Sequence, residues 1–497
     1  MSRRLLLVAL VVAGWAAVAI PVRATYNARV TADEPQYLLS AISLGEDLDL
    51  DISDEIRDRA YEPFHEVTID RQTEPNEDGR EFSPHDPLLP VILAVPMVLG
   101  GWVAAKATLA VLAGALAALL LWLAVERFGV ARGPATVVVL AFSLSAPLTS
   151  YGTQVYPELP AALAVALGIA ALTGPLARRG QWLLVAAVVA LPWLSVKYAP
   201  VAAVLVLVGG WRLWRRSARD DVLRMAAVLA VAGIAYLAVH WAVYGGWTVY
   251  ASGDHFQSGG EFTVTGGDPE YPARTQRLIG LLVDRGFGLA AWAPVFLAAV
   301  PALGALARRR PDHWPVLALP LAAGWANATW LALTMHGWWW PGRQVVVVLP
   351  CVVLATAWWV GTLADHRSGR AQVSWRTHAR DQKRVVRAIA GLGAVGMVLW
   401  GWLVREVLQE RLRLIIDFES TRNPLYRGWR TVLPDLRVPD GTTAFVYAAW
   451  VLVLAGLAWW GWRSAGPSAG RDEDAGAGER ADADRPAVDV QREGAVG

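Results

Sequence analysis

The sequence predicts an all-α polytopic membrane protein with about twelve transmembrane helices and juxtamembrane helices in the first outer loop. Three observations carry this. Of 497 residues, 55% are hydrophobic and only 18% are charged, whereas a soluble domain carries roughly 25% charged residues. Apolar stretches long enough to cross a bilayer recur along the chain. Arginines gather in short loops between them. Together these exclude a soluble enzyme, a disordered chain and a disulfide scaffold. The single cysteine, Cys351, lies in an apolar run and has no intrachain partner to bridge to. The basic residues follow the ends of apolar segments and form no groove-like stripe, so nucleic acid is not an expected partner.

The expected spans are 5–22, 104–124, 134–150, 159–176, 181–195, 199–212, 222–243, 288–306, 315–334, 344–364, 385–405 and 443–462. Pro192 and Pro200 interrupt the pair 181–212, which reads as a broken hairpin. Arg3 and Arg4 place the N-terminus in the cytoplasm. Arg127 and Arg132, Arg178 and Arg179, the cluster Arg212 to Arg219, Arg308 to Arg310, and the seven basic residues from Arg367 to Arg387 fall on the same side. They agree only if the apolar stretch 87–101 does not fully cross. That stretch, ending in Gly100-Gly101, is therefore read as an interfacial or re-entrant helix. The first span has features of a secretory signal, including a Val22-Arg23-Ala24 ending, but its apolar core is long, and an uncleaved helix is expected.

Three large loops then face outward. Loop 23–86 carries 17 acidic and six basic residues, loop 244–286 is rich in glycine and aromatic residues, and the third is 407–442. The tail 463–497, almost without large apolar residues, reads as disordered and cytoplasmic. No fixed-period repeat is evident, which weakens a repeat-built transporter.

Five constellations at outer ends could carry chemistry. Asp33-Glu34-Pro35 lies about ten residues beyond the first span, where a carboxylate can act as a general base just above the headgroups. The plain alternative is that Asp33 caps a helix. His85-Asp86 sits between Pro84 and Pro87 on stiff backbone, placed to hold substrate or simply to turn the chain into the membrane. Tyr156-Pro157-Glu158 opens the fourth span, and a carboxylate there either matches the helix dipole or marks a site. Lys197, one of three lysines, lies at the turn of the broken hairpin and needs an anion or a route to the headgroups. His336-Gly-Trp-Trp-Trp340-Pro-Gly-Arg343 reads as an aromatic belt or as a phosphate-binding arginine beside sugar-stacking rings. Asp254-His255 is a weak metal-ligand pair, since two residues do not make a site. Phosphate-binding motifs of nucleotide enzymes are missing, which argues against an ATP-driven pump and a nucleotide-sugar enzyme.

In this order, these segments resemble membrane-embedded glycosyltransferases of the GT-C type, in particular bacterial proteins similar to dolichyl-phosphate-mannose–protein mannosyltransferases and to lipid A aminoarabinose transferases. Asp33-Glu34-Pro35, Ser83-Pro84-His85-Asp86-Pro87, Tyr156-Pro157-Glu158-Leu159-Pro160, Val196-Lys197-Tyr198 and Pro341-Gly342-Arg343 look like that group's motifs. The likeness covers roughly residues 1–364. Gln36 stands where many relatives carry His, and Glu158 replaces an expected Asp. The resemblance implies a GT-C-like transmembrane domain over 1–462. It implies inverting transfer of a sugar from a polyprenyl-phosphate donor to a lipid, glycan or protein acceptor on the outer face of the plasma membrane. Asp33, or alternatively Glu34, would be the base. Lys197 and Arg343 would bind the donor phosphate. His85, Asp86, Glu158, Tyr156, His336 and Trp340 would contact substrate. No cofactor is implied, and a divalent metal, although compatible, is not indicated. The competing classes are a transporter or flippase of a lipid-linked or anionic solute and a non-catalytic scaffold. A scaffold predicts that Asp33, Lys197 and Arg343 do not converge.

Overall fold

The structure, a computed structural model, describes residues 3–252, 269–364 and 375–465. Asp254, His255 and the tail from residue 466 lie outside the described residues, as does part of the basic stretch 367–387. Among the described residues the protein is all-α, with only isolated β-bridges in the first loop. The helices are α1 (Arg3–Ala17), α2 (Glu34–Glu46), α3 (Ser53–Arg57), α4 (Leu88–Glu126), α5 (Arg132–Ser143), α6 (Glu158–Thr173), α7 (Arg178–Leu194), α8 (Ala199–Arg215) and α9 (Arg219–Tyr244). They continue with α10 (Tyr271–Arg274), α11 (Arg277–Val283), α12 (Leu289–Trp292), α13 (Ala299–Arg309), α14 (Trp314–Ala326), α15 (Leu349–Thr362), α16 (Trp375–Leu408), α17 (Pro424–Trp429) and α18 (Thr443–Ser464).

Each of the twelve expected stretches falls on helix, but only six described helical segments are long and apolar enough to cross a bilayer. These are Leu88–Glu126, Val196–Arg215, Arg219–Ser252, Arg343–Thr362, Arg380–Leu408 and Thr443–Ser464. The count of twelve is thus not reproduced by that measure. The other stretches are shorter or interrupted. Two short 3₁₀ and α pieces precede α13, and a π-turn, Asn327–Leu331, ends α14. Proline accounts for part of this, because it removes a helix hydrogen bond and clashes with the preceding turn. Pro294 opens one such piece, and Pro320 lies inside α14.

The expected break at Gly100-Gly101 is present. Both residues leave helical geometry, Gly100 at φ −159° and Gly101 at φ +61°, so α4 is two helices in series. The first presents Val91, Val95, Val98 and Leu99 outward, while the second packs on α1, Gly114 lying against Ala9 and Ala13. The first also docks against α2, the helix that starts beside Asp33.

The last helix is held by close backbone approach. A Cβ at Gly461 would collide with the Pro301 carbonyl oxygen, and one at Gly304 with that of Ala458. Small residues let α13 and α18 touch, as is usual between helices in lipid. Gly461→Ala is therefore expected to cost about 1–3 kcal/mol by overpacking. Thermal unfolding in detergent measures this, and an unchanged midpoint would contradict the close packing.

Candidate active site

Four chain segments bring charge to one point. Asp33 precedes α2, and its side chain makes no cap hydrogen bond to that helix, contrary to the plain alternative. It faces Arg343 instead, whose Nη2 donates to Asp33 Oδ2 at 2.6 Å. Arg343 Nε donates to Glu158 Oε1 at 2.9 Å, and Lys197 Nζ donates to the same oxygen at 2.7 Å. Glu158 is the first residue of α6, and Lys197 sits in the 3₁₀ turn between α7 and α8. The set holds two carboxylates and two cations, so its formal charges cancel. Side-chain exposure is 1% for Glu158, 8% for Arg343, 21% for Asp33 and 23% for Lys197, which leaves the Asp33 and Lys197 ends open to a ligand. Glu158 Oε2 is buried with no hydrogen-bond partner.

Arg343 is aimed by its surroundings. Gly342 adopts φ +84°, a conformation that favours glycine, and so turns the chain into the helical run that Arg343 begins. The guanidinium lies 4.0 Å from the Tyr156 ring centroid and 4.9 Å from that of Trp339. Such aromatic faces stabilise a cation and fix its plane.

Asp33 has further neighbours. Gln72 Nε2 donates to Asp33 Oδ1 at 3.4 Å, and Gln72 Oε1 pairs with His85 Nε2 at 2.9 Å. The His85 ring stacks on Tyr37, 4.6 Å between centroids. Burial alone would push the Asp33 carboxyl up. The charges of Arg343, His85 and Lys197, with the Arg343 hydrogen bond, outweigh it and hold the group well below the usual carboxylate range.

Glu34 occupies different ground. It accepts from Thr31 N at 2.9 Å and Val155 N at 2.7 Å, pinning the start of α2 to the segment before α6. Burial pushes its carboxyl up, against the Lys106 charge and these two donors.

Asp86 is an anchor for the lysine turn. Its Oδ2 accepts from Val196 N at 2.9 Å. Its Oδ1 faces Tyr236 OH at 2.8 Å and His240 Nε2 at 3.0 Å, both on α9. Asp86→Asn removes the negative charge and replaces one of the two acceptor oxygens that face Val196 N, Tyr236 OH and His240 Nε2. We expect a loss of about 1–3 kcal/mol in thermal unfolding; an unchanged midpoint would dismiss the anchor.

His336 and Trp340 stand apart from the four charges. His336 Nε2 lies 3.6 Å from Asp284 Oδ1, and its ring meets Phe287 edge-on. Trp340 is 1% exposed and packs against Trp292, Trp400 and Phe418, while its carbonyl accepts from Tyr151 OH at 2.8 Å. Among the three tryptophans of that segment, Trp339 is the one over Arg343. Sequence reasoning missed Gln72, Tyr37, Trp339 and Asn327, whose Nδ2 donates to the Lys197 carbonyl at 3.0 Å. Tyr37 follows Asp33 by four residues, a helical spacing that was legible. Gln72 has no such signal in its acidic loop.

An apolar cavity of about 460 Å³ is lined among others by Leu289, Phe296, Leu321, Trp325, Ala326 and Trp330; none of the four charged side chains lines it. Leu289 presses against Gly342, and Ala326 adjoins Asn327, so the cavity wall runs into the backbone that holds Arg343 and Lys197.

No family model and no curated protein sequence matches the chain. Solved structures similar to it include two of ArnT from Cupriavidus metallidurans. The crystal structure bound to undecaprenyl phosphate shares 15% identity, covers 93% of this chain and 77% of that one, and gives a TM-score of 0.47. The apo crystal structure shares 17% identity over the same shares of each chain, with a TM-score of 0.45.

Proposed function

We propose that the protein is a membrane glycosyltransferase that moves a sugar from a polyprenyl-phosphate donor to an acceptor on the outer face of the plasma membrane. The observation that carries this is the meeting of Asp33, Glu158, Lys197 and Arg343 within hydrogen-bond distance. The charged groups lie at helix starts and turns, where a headgroup can reach them, which favours a transferase over a transporter with mid-bilayer charges.

In this reading the donor phosphate docks at the open end of Lys197, next to the Arg343 guanidinium, and the prenyl chain occupies the apolar cavity whose wall reaches Gly342 and Asn327. Asp33 takes the proton of the acceptor hydroxyl or amine as its oxygen or nitrogen attacks the anomeric carbon. The bond from that carbon to the phosphate oxygen breaks with inversion. Its electron pair leaves on the phosphate, where the two cations stabilise the added charge. Glu158 holds both cations in place. Tyr156 and Trp339 fix the plane of Arg343, and Gln72 with His85 orients Asp33. Both termini are cytoplasmic in this arrangement. The donor carries its own activated phosphate, so no cofactor is required.

The test uses purified protein reconstituted with a polyprenyl-phosphate sugar and a mixture of envelope acceptors. Expected is acceptor-dependent release of polyprenyl phosphate, and a KM for donor raised at least tenfold in Lys197→Met. Absence of release across sugars and acceptors, or an unchanged KM in that variant, would refute the reading.

A further inference from the structure

The turn joining α2 to α3 gathers carboxylates that the proposed transfer does not use. Asp47 is the C-cap of α2, and Asp54 and Glu55 lie in the first turn of α3. One carboxylate oxygen from each lies within 4.8 Å of the other two. Asp47 is exposed and Asp54 half-buried, but Glu55 is only 5% exposed. Glu55 Oε2 is buried with no hydrogen-bond partner. The neighbouring cation, Arg57, is turned outward to Asp58 at 2.9 Å. Adjacent carboxylates are already engaged. Asp49 Oδ1 accepts from Ser43 Oγ and Asp51 N, and Asp51 Oδ1 accepts from Ser53 N and Glu81 N.

A buried carboxylate oxygen costs free energy unless a donor or a cation reaches it. Here the carboxyl group of Glu55 stands with two further carboxylates, and the C-terminal end of α2 adds partial negative charge. We propose that this turn binds a hard divalent cation of the calcium class, through one oxygen each from Asp47, Asp54 and Glu55, with water completing the shell. An all-oxygen donor set selects hard cations over zinc or copper. Calcium–oxygen distances of about 2.3–2.6 Å allow two ligand oxygens to stand up to roughly 5 Å apart, and the three oxygens here lie within 4.8 Å of one another. Magnesium needs a tighter octahedron, and the exposed Asp47 edge suits a cation that accepts mixed protein and water ligands. The alternative occupant of the buried oxygen is a proton. Burial, reinforced by the neighbouring Asp54 and Asp47 carboxylates against a lowering backbone contact, pushes the Glu55 carboxyl up to about 8. The cation would displace that proton and tie α3 to the end of the helix whose other end carries Asp33.

The test is calorimetric titration of chelator-stripped, full-length protein in detergent with calcium chloride and, separately, magnesium chloride. A saturable calcium site with a Kd on the order of 0.1–1 mM is expected, with magnesium at least tenfold weaker. Glu55→Gln and Asp47→Asn should each weaken calcium more than tenfold. Because Asp47 is exposed, its variant decides the matter even if Glu55→Gln folds poorly. Failure of the intact protein to bind calcium, or equal affinity in Asp47→Asn, would overturn the proposal in favour of a protonated carboxyl. Neither result touches the transferase reading, which rests on other residues.

Discussion

Replacing Arg343 with alanine is expected to abolish sugar transfer and to lower stability by about 3–5 kcal/mol, the usual cost of stripping a buried carboxylate of its partner. The size follows from what the guanidinium does. It bridges Asp33 and Glu158, and its removal leaves Lys197 as the one remaining cation in the cluster. Arg343→Lys separates the two effects. A lysine keeps the charge but cannot present Nε to one carboxylate and Nη2 to the other along a fixed plane. It should recover most of the stability yet still lose tenfold or more in donor affinity. Thermal unfolding and polyprenyl-phosphate binding on the same preparations measure both. An alanine variant that unfolds like the parent protein would contradict the bridging role.

Asp33→Asn should leave the protein folded and donor-competent but cut turnover by about 10²–10⁴, the range of a lost general base. Arg343 still has Glu158, and Gln72 can meet the new amide through its oxygen. Glu34→Gln provides the contrast. Its two oxygens accept from two different backbone donors, so in the glutamine one donor would face an amide nitrogen, and the variant should show a stability defect with kcat changed less than tenfold. Equal turnover losses in the two variants would leave no special part for Asp33. The depressed Asp33 pKa also gives a signed pH effect. A carboxyl held below its unfolded value of 3.8 adds stability that is complete above that pH. That contribution is lost as the pH falls from about 4 toward the depressed value, and it should be missing from the acid limb of the Asp33→Asn unfolding profile.

The long helices were legible because a bilayer demands an apolar length that composition records directly. The breaks around α13, α14 and α15 were not, since a π-turn after α14 and 3₁₀ pieces before α13 and α15 depend on packing that hydropathy does not encode. The four central charges were legible for an energetic reason. A lysine, an arginine, a glutamate and an aspartate near apolar runs need partners, and the partners they found were one another. The acidic doublet shows the limit of spacing. Asp33 and Glu34 are neighbours in sequence, yet the start of α2 sends one to Arg343 and the other to the backbone of Thr31 and Val155. Likewise, which of three consecutive tryptophans covers Arg343 depends on the turn through Gly342, so Trp339 and not Trp340 lies there. Gln72 could not be picked out of a loop with 17 acidic residues, because its part comes from being folded back between Asp33 and His85.

The contact between Asp33 and Arg343 spans 310 positions of the chain. A ribosome adding about 5–20 residues each second needs roughly 15–60 seconds to cover that distance. Until residue 343 is made, the Asp33 carboxylate has no arginine to meet, so the charge cluster closes only late in synthesis.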